Sequence, residues 1–247
     1  MPASAVSSPQ HAAARVTDRI QENPRTVTLV LDRAFPQARP GQFCMLWLPG
    51  TDEKPFSIAG PDPLMFTVSR VGPFSEALQA LGPGDPVWVR GPFGAGWTIG
   101  PCRALLVGGG YGAAPLYFLA RAWREQGAMV EAALGARTSA DLLFMDRFTG
   151  CGLPVHPATE DGSRGAGGRV TDVVAPLLSS GKFDRLCACG PEAMLDALAA
   201  LCREHRVAGE LSYEAYMRCG VGICGSCEHE ERLVCLDGPV FRVPGEQ

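Results

Sequence analysis

The spacing of apolar residues changes at about residue 99, and that change limits the folds open to this chain more than any other feature. Between residues 14 and 98, short runs rich in β-branched and aromatic residues, "TVTLVLD" (26–32), "QFCMLWLP" (42–49), "MFTVSR" (65–70) and "PVWVRG" (86–91), are separated by "ARPGQ", "PGTDE", "AGPDP" and "LGPGD". Glycine and proline in these breaks set turn geometry and remove ladder donors, so the spacing predicts a small antiparallel β-barrel. From residue 99 the order becomes strand, glycine turn, helix, in "RALLVGGG", "APLYFLARAWREQG", "MVEAALGAR", "RVTDVVAPLLSSG", "FDRLCACG" and "PEAMLDALAALCREH". That alternation predicts a parallel sheet with helices on both faces.

The chain therefore reads as a multi-domain β plus α/β protein. Residues 1–13, rich in Ala, Ser and Pro, read as a disordered N-terminus. Residues 14–98 form the barrel, 99–208 the α/β domain, and 209–247 a small segment with too little apolar content for a core of its own, whose cysteines must supply what packing cannot. With 247 residues, 46% of them apolar, the chain can bury a substantial core. A net charge of −4 with no lysine or arginine stripe argues against nucleic acid or an anionic membrane as partner. No run of about 18 apolar residues could span a bilayer, and the start has no apolar stretch of signal-peptide type, so a cytoplasmic protein is expected. Thiols stay reduced there, and clustered cysteines then favour metal or catalysis over disulfides. Six of the ten cysteines (Cys44, Cys102, Cys151, Cys187, Cys189 and Cys202) are dispersed, and most read as buried small hydrophobes.

Two glycine motifs lie at strand ends in the α/β half. In "GGGYGAAP" (108–115), beginning at Gly108, residues Gly110, Gly112 and Pro115 form G-x-G-x-x-P at a strand–helix junction. Glycine lets the backbone approach a phosphate, and proline suits the first turn of a helix whose N-terminus attracts anions. In "CACGPEAM" (187–194), Cys189, Gly190 and Pro191 belong to the carboxyl edge of the sheet, where open α/β sheets bind ligands. In the barrel half, "EKPFSIAG" (53–60) supplies a cation, a rigid extended backbone and a hydroxyl, a set able to hold a pyrophosphate and the edge of a ring. An ordinary edge strand after a turn is the plain alternative.

Cys219, Cys224, Cys227 and Cys235 give C-x4-C-x2-C-x7-C. Structural zinc usually takes two close cysteine pairs, whereas a first gap of four is the plant-type spacing for a [2Fe–2S] cluster. Gly220, Gly222 and Gly225 let the loop wrap inorganic sulfide and turn N–H groups toward it. Zinc is the alternative metal. His229 reads as a surface residue, since four thiolates complete a ligand set.

With barrel, nucleotide domain and cluster loop in this order, the chain from about residue 14 to 241 resembles the electron-transfer subunits of class 1B dihydroorotate dehydrogenase, a branch of the ferredoxin–NAD(P) reductase superfamily. The resemblance rests on "GQFCMLW", "KPFSIAG", "GPFGAGW", "GGGYGAAPL", "CACGPEAM" and "MRCGVGICGSC…VCLDGPVF". It implies FAD in the barrel, NAD(H) on a Rossmann-like second domain and a [2Fe–2S] cluster in the C-terminal segment. The family's flavin motif Arg-Pro-x-Ser falls on Lys54, Pro55, Phe56 and Ser57, with further flavin contacts at Thr67, Val68 and Ser69 and at Phe74 and Ser75. Lysine in place of arginine offers a point charge instead of a two-point grip. Phe74-Ser75 stands where the family often has Gly-Thr, and the seven-residue gap before Cys235 is short for the family. The resemblance also implies a partner, an FMN-containing dihydroorotate dehydrogenase catalytic subunit, in a heterotetramer of two plus two, serving pyrimidine biosynthesis with NAD+ as acceptor. No residue of this chain is then required as a catalytic acid or base. Two other readings stay open: the flavin subunit of a sulfhydrogenase or of an NADH-dependent ferredoxin:NADP+ oxidoreductase, whose tails tend to read Asp-Gly-Pro-Glu-Phe where this chain has Val240, and a non-enzymatic redox sensor.

Overall fold

Six antiparallel strands close a barrel in the computed structural model, which describes residues 8–243. They are β1 (Ser8–Asn23), β2 (Thr26–Leu31), β3 (Phe43–Leu48), β4 (Asp52–Pro61), β5 (Leu64–Ser69) and, after the short helix α1 (Pro73–Gln79), β6 (Pro86–Phe93), in the order β1-β2-β5-β4-β3-β6. β1 makes the closure. Its first half pairs with β6, from Ala12 opposite Val89 to Arg15 opposite Pro86, and its second half pairs with β2, from Val16 opposite Leu31 to Asn23 opposite Thr26. One strand thus serves two neighbours, and no edge is left for pairing with another chain. The expected disorder of residues 1–13 therefore fails for 8–13, which lie in β1, while residues 1–7 fall outside the described residues. Ala14 and Val16 point inward between exposed Ala13, Arg15 and Thr17, a period-two pattern that small alanines conceal in the sequence.

The second sheet has seven strands in the order β10-β9-β8-β7-β11-β12-β15. In chain order the elements are β7 (Arg103–Gly109), α2 (Ala113–Glu125), β8 (Met129–Ala136), α3 (Met145–Gly150), β9 (Val155–Thr159), β10 (Ala166–Gly167), α4 (Val170–Ser179), β11 (Arg185–Cys189), α5 (Glu192–His205) and β12 (Ala208–Ser212). A small hairpin, β13 (Glu228–His229) and β14 (Arg232–Leu233), follows before β15 (Val240–Arg242), the one strand of this sheet that pairs antiparallel. β7 is buried over six of its seven residues, as a central parallel strand must be. Leu105 and Val107 join Val174, Leu178, Leu195 and Leu198 in one core cluster, each buried leucine being worth about 1.5–3 kcal/mol relative to exposure.

The chain divides into two compact units, one running to Gly96 and taking in Ala215–Gly238, the other formed by Trp97–Glu214 and the residues from Pro239. This redraws the boundary expected at 209. β12 and β15 belong to the α/β sheet, and only the loop between them carries the cysteines. That loop is seated on the barrel, where a Cβ on Gly220 would come 3.0 Å from Met45 Cγ of β3 and 3.6 Å from Phe93 of β6. A segment poor in apolar residues is stabilised by packing on a finished surface, with Met217, Cys227, Val234 and Cys235 buried.

Candidate cofactor sites

β7 is flanked by β8 on one side and β11 on the other, so strand order reverses at β7 and a crevice forms beyond the carboxyl ends of β7 and β11. Both glycine motifs come to this point. A Cβ on Gly112 would lie 2.1 Å from the carbonyl oxygen of Cys189, which makes glycine obligatory where the turn after β7 passes β11. Gly190 approaches Gly109 in the same way, a Cβ there falling 3.0 Å from Gly109 Cα. Gly110 has φ +54° and open space where a Cβ would stand, Gly108 packs under Ala113, and Pro115 is buried in the first turn of α2. Pro191 precedes α5. Two helix N-termini and a backbone free of side chains thus converge, the arrangement that receives phosphate.

Three residues that the sequence did not single out complete the crevice. The Cys189 thiol lies near the Ser212 hydroxyl at the end of β12; burial pushes its pKa up to about 12, the nearby Glu214 carboxylate adds to this and Ser212 partly opposes it. Cys189 is therefore a neutral thiol near pH 7 and not a nucleophile. Tyr111 donates its hydroxyl to Glu214 Oε2 at 3.1 Å. Burial raises the Glu214 pKa and this bond only partly offsets it. For Ser212 and Glu214 the one available signal was the position of "SYE" (212–214) at the carboxyl end of the last parallel strand.

In the barrel, Lys54, Pro55, Phe56 and Ser57 all lie in β4. Lys54 Nζ pairs with Asp52 at 2.7 Å and stands 4.8 Å over the ring of Tyr216. Phe56 meets Phe74 of α1 with ring centroids 6.1 Å apart. The Ser57 hydroxyl has no hydrogen-bond partner among the described residues, which suits a group that waits for a ligand. The β5 stretch is different. Thr67 Oγ1 pairs with Thr28 Oγ1 at 2.9 Å, Ser69 Oγ with Thr26 Oγ1 at 2.6 Å, and Val68 is fully buried. Ser75 caps α1, accepting from the Val71 and Gly72 amides at 2.9 and 3.0 Å and donating to the Gly72 carbonyl at 2.8 Å. The hydroxyls of Thr67, Ser69 and Ser75 are thus engaged within the barrel.

The four clustered cysteines meet two by two: Cys219 with Cys224, and Cys227 with Cys235, the second pair lying near Cys219. Main-chain amides converge on the sulfurs. Val221 and Ile223 each donate to Cys219 Sγ at 3.4 Å, Gly222 to Cys235 Sγ at 3.2 Å and Cys235 to Cys227 Sγ at 3.4 Å. Gly222 reaches this pose with φ +78°, a conformation in which a side chain is strained. The pairs differ in setting. Cys224 is exposed, and the Ser226 hydroxyl and amide, with Cys219, bring its pKa down to about 6. Cys227 and Cys235 are buried, and burial pushes Cys235 up to about 12. Among the described residues no three His, Cys, Asp or Glu side chains converge on a single ion. Two pairs of sulfurs fit two irons, two thiolates each, better than one tetrahedral zinc.

The family model for the iron-sulfur cluster binding domain of dihydroorotate dehydrogenase B matches residues 214–244, the loop just described together with β15. A Methanocaldococcus jannaschii protein named "probable dihydroorotate dehydrogenase B (NAD(+)), electron transfer subunit" is 41% identical over 229 residues, covering 92% of this chain and 88% of that protein. The chain belongs to the family of dihydroorotate dehydrogenase B electron transfer subunits. A relative of the same name from Methanopyrus kandleri is 42% identical over 232 residues, covering 92% of this chain and 88% of its own. Among solved structures, that of an NADH-dependent reduced ferredoxin-NADP oxidoreductase studied for flavin-based electron bifurcation superposes with a TM-score of 0.85 at 30% identity, over 98% of this chain and 90% of that one. The chain thus has a fold related to that of this oxidoreductase. No helix among the described residues is long and apolar enough to cross a membrane.

Proposed function

We propose that this chain carries electrons between an FMN-containing dihydroorotate dehydrogenase catalytic subunit and NAD+, using FAD in the barrel unit and a [2Fe–2S] cluster in the cysteine loop, in the cytoplasmic synthesis of pyrimidines. The observation that carries the reading is the two-by-two pairing of sulfurs under converging amides, in a chain whose relatives are named electron transfer subunits. Bound FAD supplies the one chemistry that the pathway needs between its ends, since it exchanges two electrons with nicotinamide and single electrons with iron–sulfur. The protein binds, orients and insulates.

Cys219, Cys224, Cys227 and Cys235 ligate the cluster, and the amides of Val221, Gly222, Ile223 and Cys235 soften the charge on their sulfurs. Lys54 faces the flavin pyrophosphate as a point charge shared with Asp52, and the free Ser57 hydroxyl bonds the ring edge. Thr67, Val68, Ser69, Phe74 and Ser75 act on the flavin through the shape that they give β5 and α1, because the hydroxyls among them are engaged elsewhere. Gly108, Gly110, Gly112 and Pro115 receive the phosphates of NAD(H). Cys189, Gly190 and Pro191 line the nicotinamide pocket, and the neutral Cys189 thiol neither attacks the ring nor takes a proton from it. No side chain is needed as a catalytic acid or base.

Ile223 (84% exposed), Leu236 (59%) and Tyr216 (57%) all belong to the segment that carries the cysteines and give the catalytic subunit apolar surface to cover, in an assembly of two copies of each chain. The test is co-expression with a candidate FMN subunit and an assay of dihydroorotate-dependent NAD+ reduction by the purified complex. A complex that exchanges electrons only with ferredoxin, sulfide or hydrogen overturns the proposal in favour of the related oxidoreductases.

A further inference from the structure

Arg90 of β6 is 7% exposed, and its guanidinium is committed on two sides. Nε and Nη2 donate to the two carboxylate oxygens of Glu53 on β4 at 2.6 and 2.8 Å, and Nη1 donates to the carbonyl oxygen of Cys219 at 2.7 Å. Glu53 also meets His11 Nε2 of β1 at 2.7 Å. Three barrel strands therefore hold one guanidinium against the backbone of a cluster cysteine. The same face receives the next residue, Gly220, against Met45, which is Arg90's register partner on β3.

A guanidinium that served only to neutralise Glu53 would not need its third bond. With the Cys219 carbonyl fixed toward Arg90, the next peptides turn the other way, and the Val221 and Ile223 amides donate to Cys219 Sγ. The bidentate fork matters here, because it fixes the plane of the guanidinium and so the direction of Nη1. The ion pair also places a buried cation and a partly buried anion near a group that gains negative charge on reduction. In a low-dielectric setting such charges act strongly, and with both present they largely cancel.

We propose that Arg90, oriented by Glu53, is a positioning residue for the [2Fe–2S] cluster: it locks the Cys219 carbonyl so that the loop amides face the sulfurs, and the Glu53–Arg90 pair sets the cluster's reduction potential. This inference rests on the cluster reading given above. It follows that removing one charge at a time moves the potential in opposite directions. Arg90→Gln leaves the Glu53 carboxylate beside the loop and lowers the potential. Glu53→Gln leaves the guanidinium charge uncompensated and raises it. Arg90→Lys keeps the charge but loses the fork, so its potential lies nearer the wild type while the EPR line broadens from a less uniform loop.

The experiment is a redox titration of the full-length protein, followed by EPR of the reduced cluster, with iron and flavin content measured alongside. The expected change is about tenfold in the oxidised-to-reduced ratio at fixed poise for each neutral variant, or about 59 mV for one electron, with opposite signs. Wild-type protein with no [2Fe–2S] signal overturns the cluster reading and this inference with it. Wild-type protein with the signal, and both neutral variants within twofold of it or shifted the same way, overturns the inference alone. If Arg90→Gln loses its iron, Glu53→Gln and Arg90→Lys decide: a raised potential in the first and a broadened signal in the second uphold the proposal, and unchanged values in both overturn it.

Discussion

Gly110 and Gly112 stand two residues apart in one turn and are glycine for different reasons. Gly110 has φ +54° with open space around it, so alanine there pays mainly for a left-handed backbone, about 1 kcal/mol. Gly112 has an ordinary helical backbone, φ −61°, but a methyl group would sit 2.1 Å from the Cys189 carbonyl, and only movement of β7 against β11 could relieve that. Gly112→Ala should therefore lose about 1–3 kcal/mol by overpacking and, because the crevice opens, should abolish rapid bleaching of flavin by NADH. Gly110→Ala should fold nearly as well as the wild type, yet bind NADH more weakly, since its methyl group would enter the open space that the proposed function gives to phosphate. Urea unfolding and stopped-flow bleaching of the two variants check both parts. Equal destabilisation would show that backbone strain, not crowding, governs the turn.

Neighbouring elements in the α/β unit are tied at Glu131 of β8, which is 8% exposed and meets His156 of β9 at 2.8 Å and Lys182 after α4. Burial alone would raise the Glu131 pKa, but the bonds from Lys182 and His156 outweigh it and hold the carboxyl below its ordinary 4.5. The sign follows from the depressed value. The contribution is fully present above the unfolded pKa and disappears as pH falls through the folded one. Glu131→Gln should be less stable than the wild type by about 1–2 kcal/mol at neutral pH, a figure reduced for the exposure of Lys182, and the gap should close below pH 4.5. Denaturant melts across that range measure it, and a gap constant with pH would exclude the ion pairs as its source. Elements of this kind differ in how visible they are. β7, α2, β8, α4 and α5 are long enough to declare their period, and five-residue β11 is marked by its apolar run before Gly190, whereas β9 and β12, equally short, are strands mainly because a sheet lies beside them. β1 escaped because alanine is a poor strand signal, and β4, whose Pro55 allows only an edge strand as the plain reading of the sequence, is paired on both sides, with β3 and β5.

Across the molecule, the order of barrel, nucleotide sheet and cysteine loop was legible because each announces itself by local pattern: short β runs, glycine turns before helices, and C-x4-C-x2-C. What was not legible depended on residues distant in sequence meeting in space. Arg90 and Glu53 are 37 residues apart and Cys219 another 129 beyond Arg90, and Glu214 meets Tyr111 across 103 residues. Nor could spacing reveal that the loop joins the barrel unit while its flanking strands complete the other sheet. This division makes the two ends of the proposed electron path separable by mutation. Cys227 belongs to the unit of Gly96 and the loop, Cys189 to the unit of β11, and neither substitution removes a residue that the other end uses. Cys227→Ala should lose the iron and the EPR signal while keeping FAD and its bleaching by NADH, and in complex with the catalytic subunit it should lose dihydroorotate-dependent NAD+ reduction at least a hundredfold. Cys189→Ala should keep the cluster signal unchanged and instead slow the exchange between NADH and flavin. If Cys227→Ala retains full NAD+ reduction in the complex, electrons do not pass through the cysteine loop, and the cluster serves structure alone.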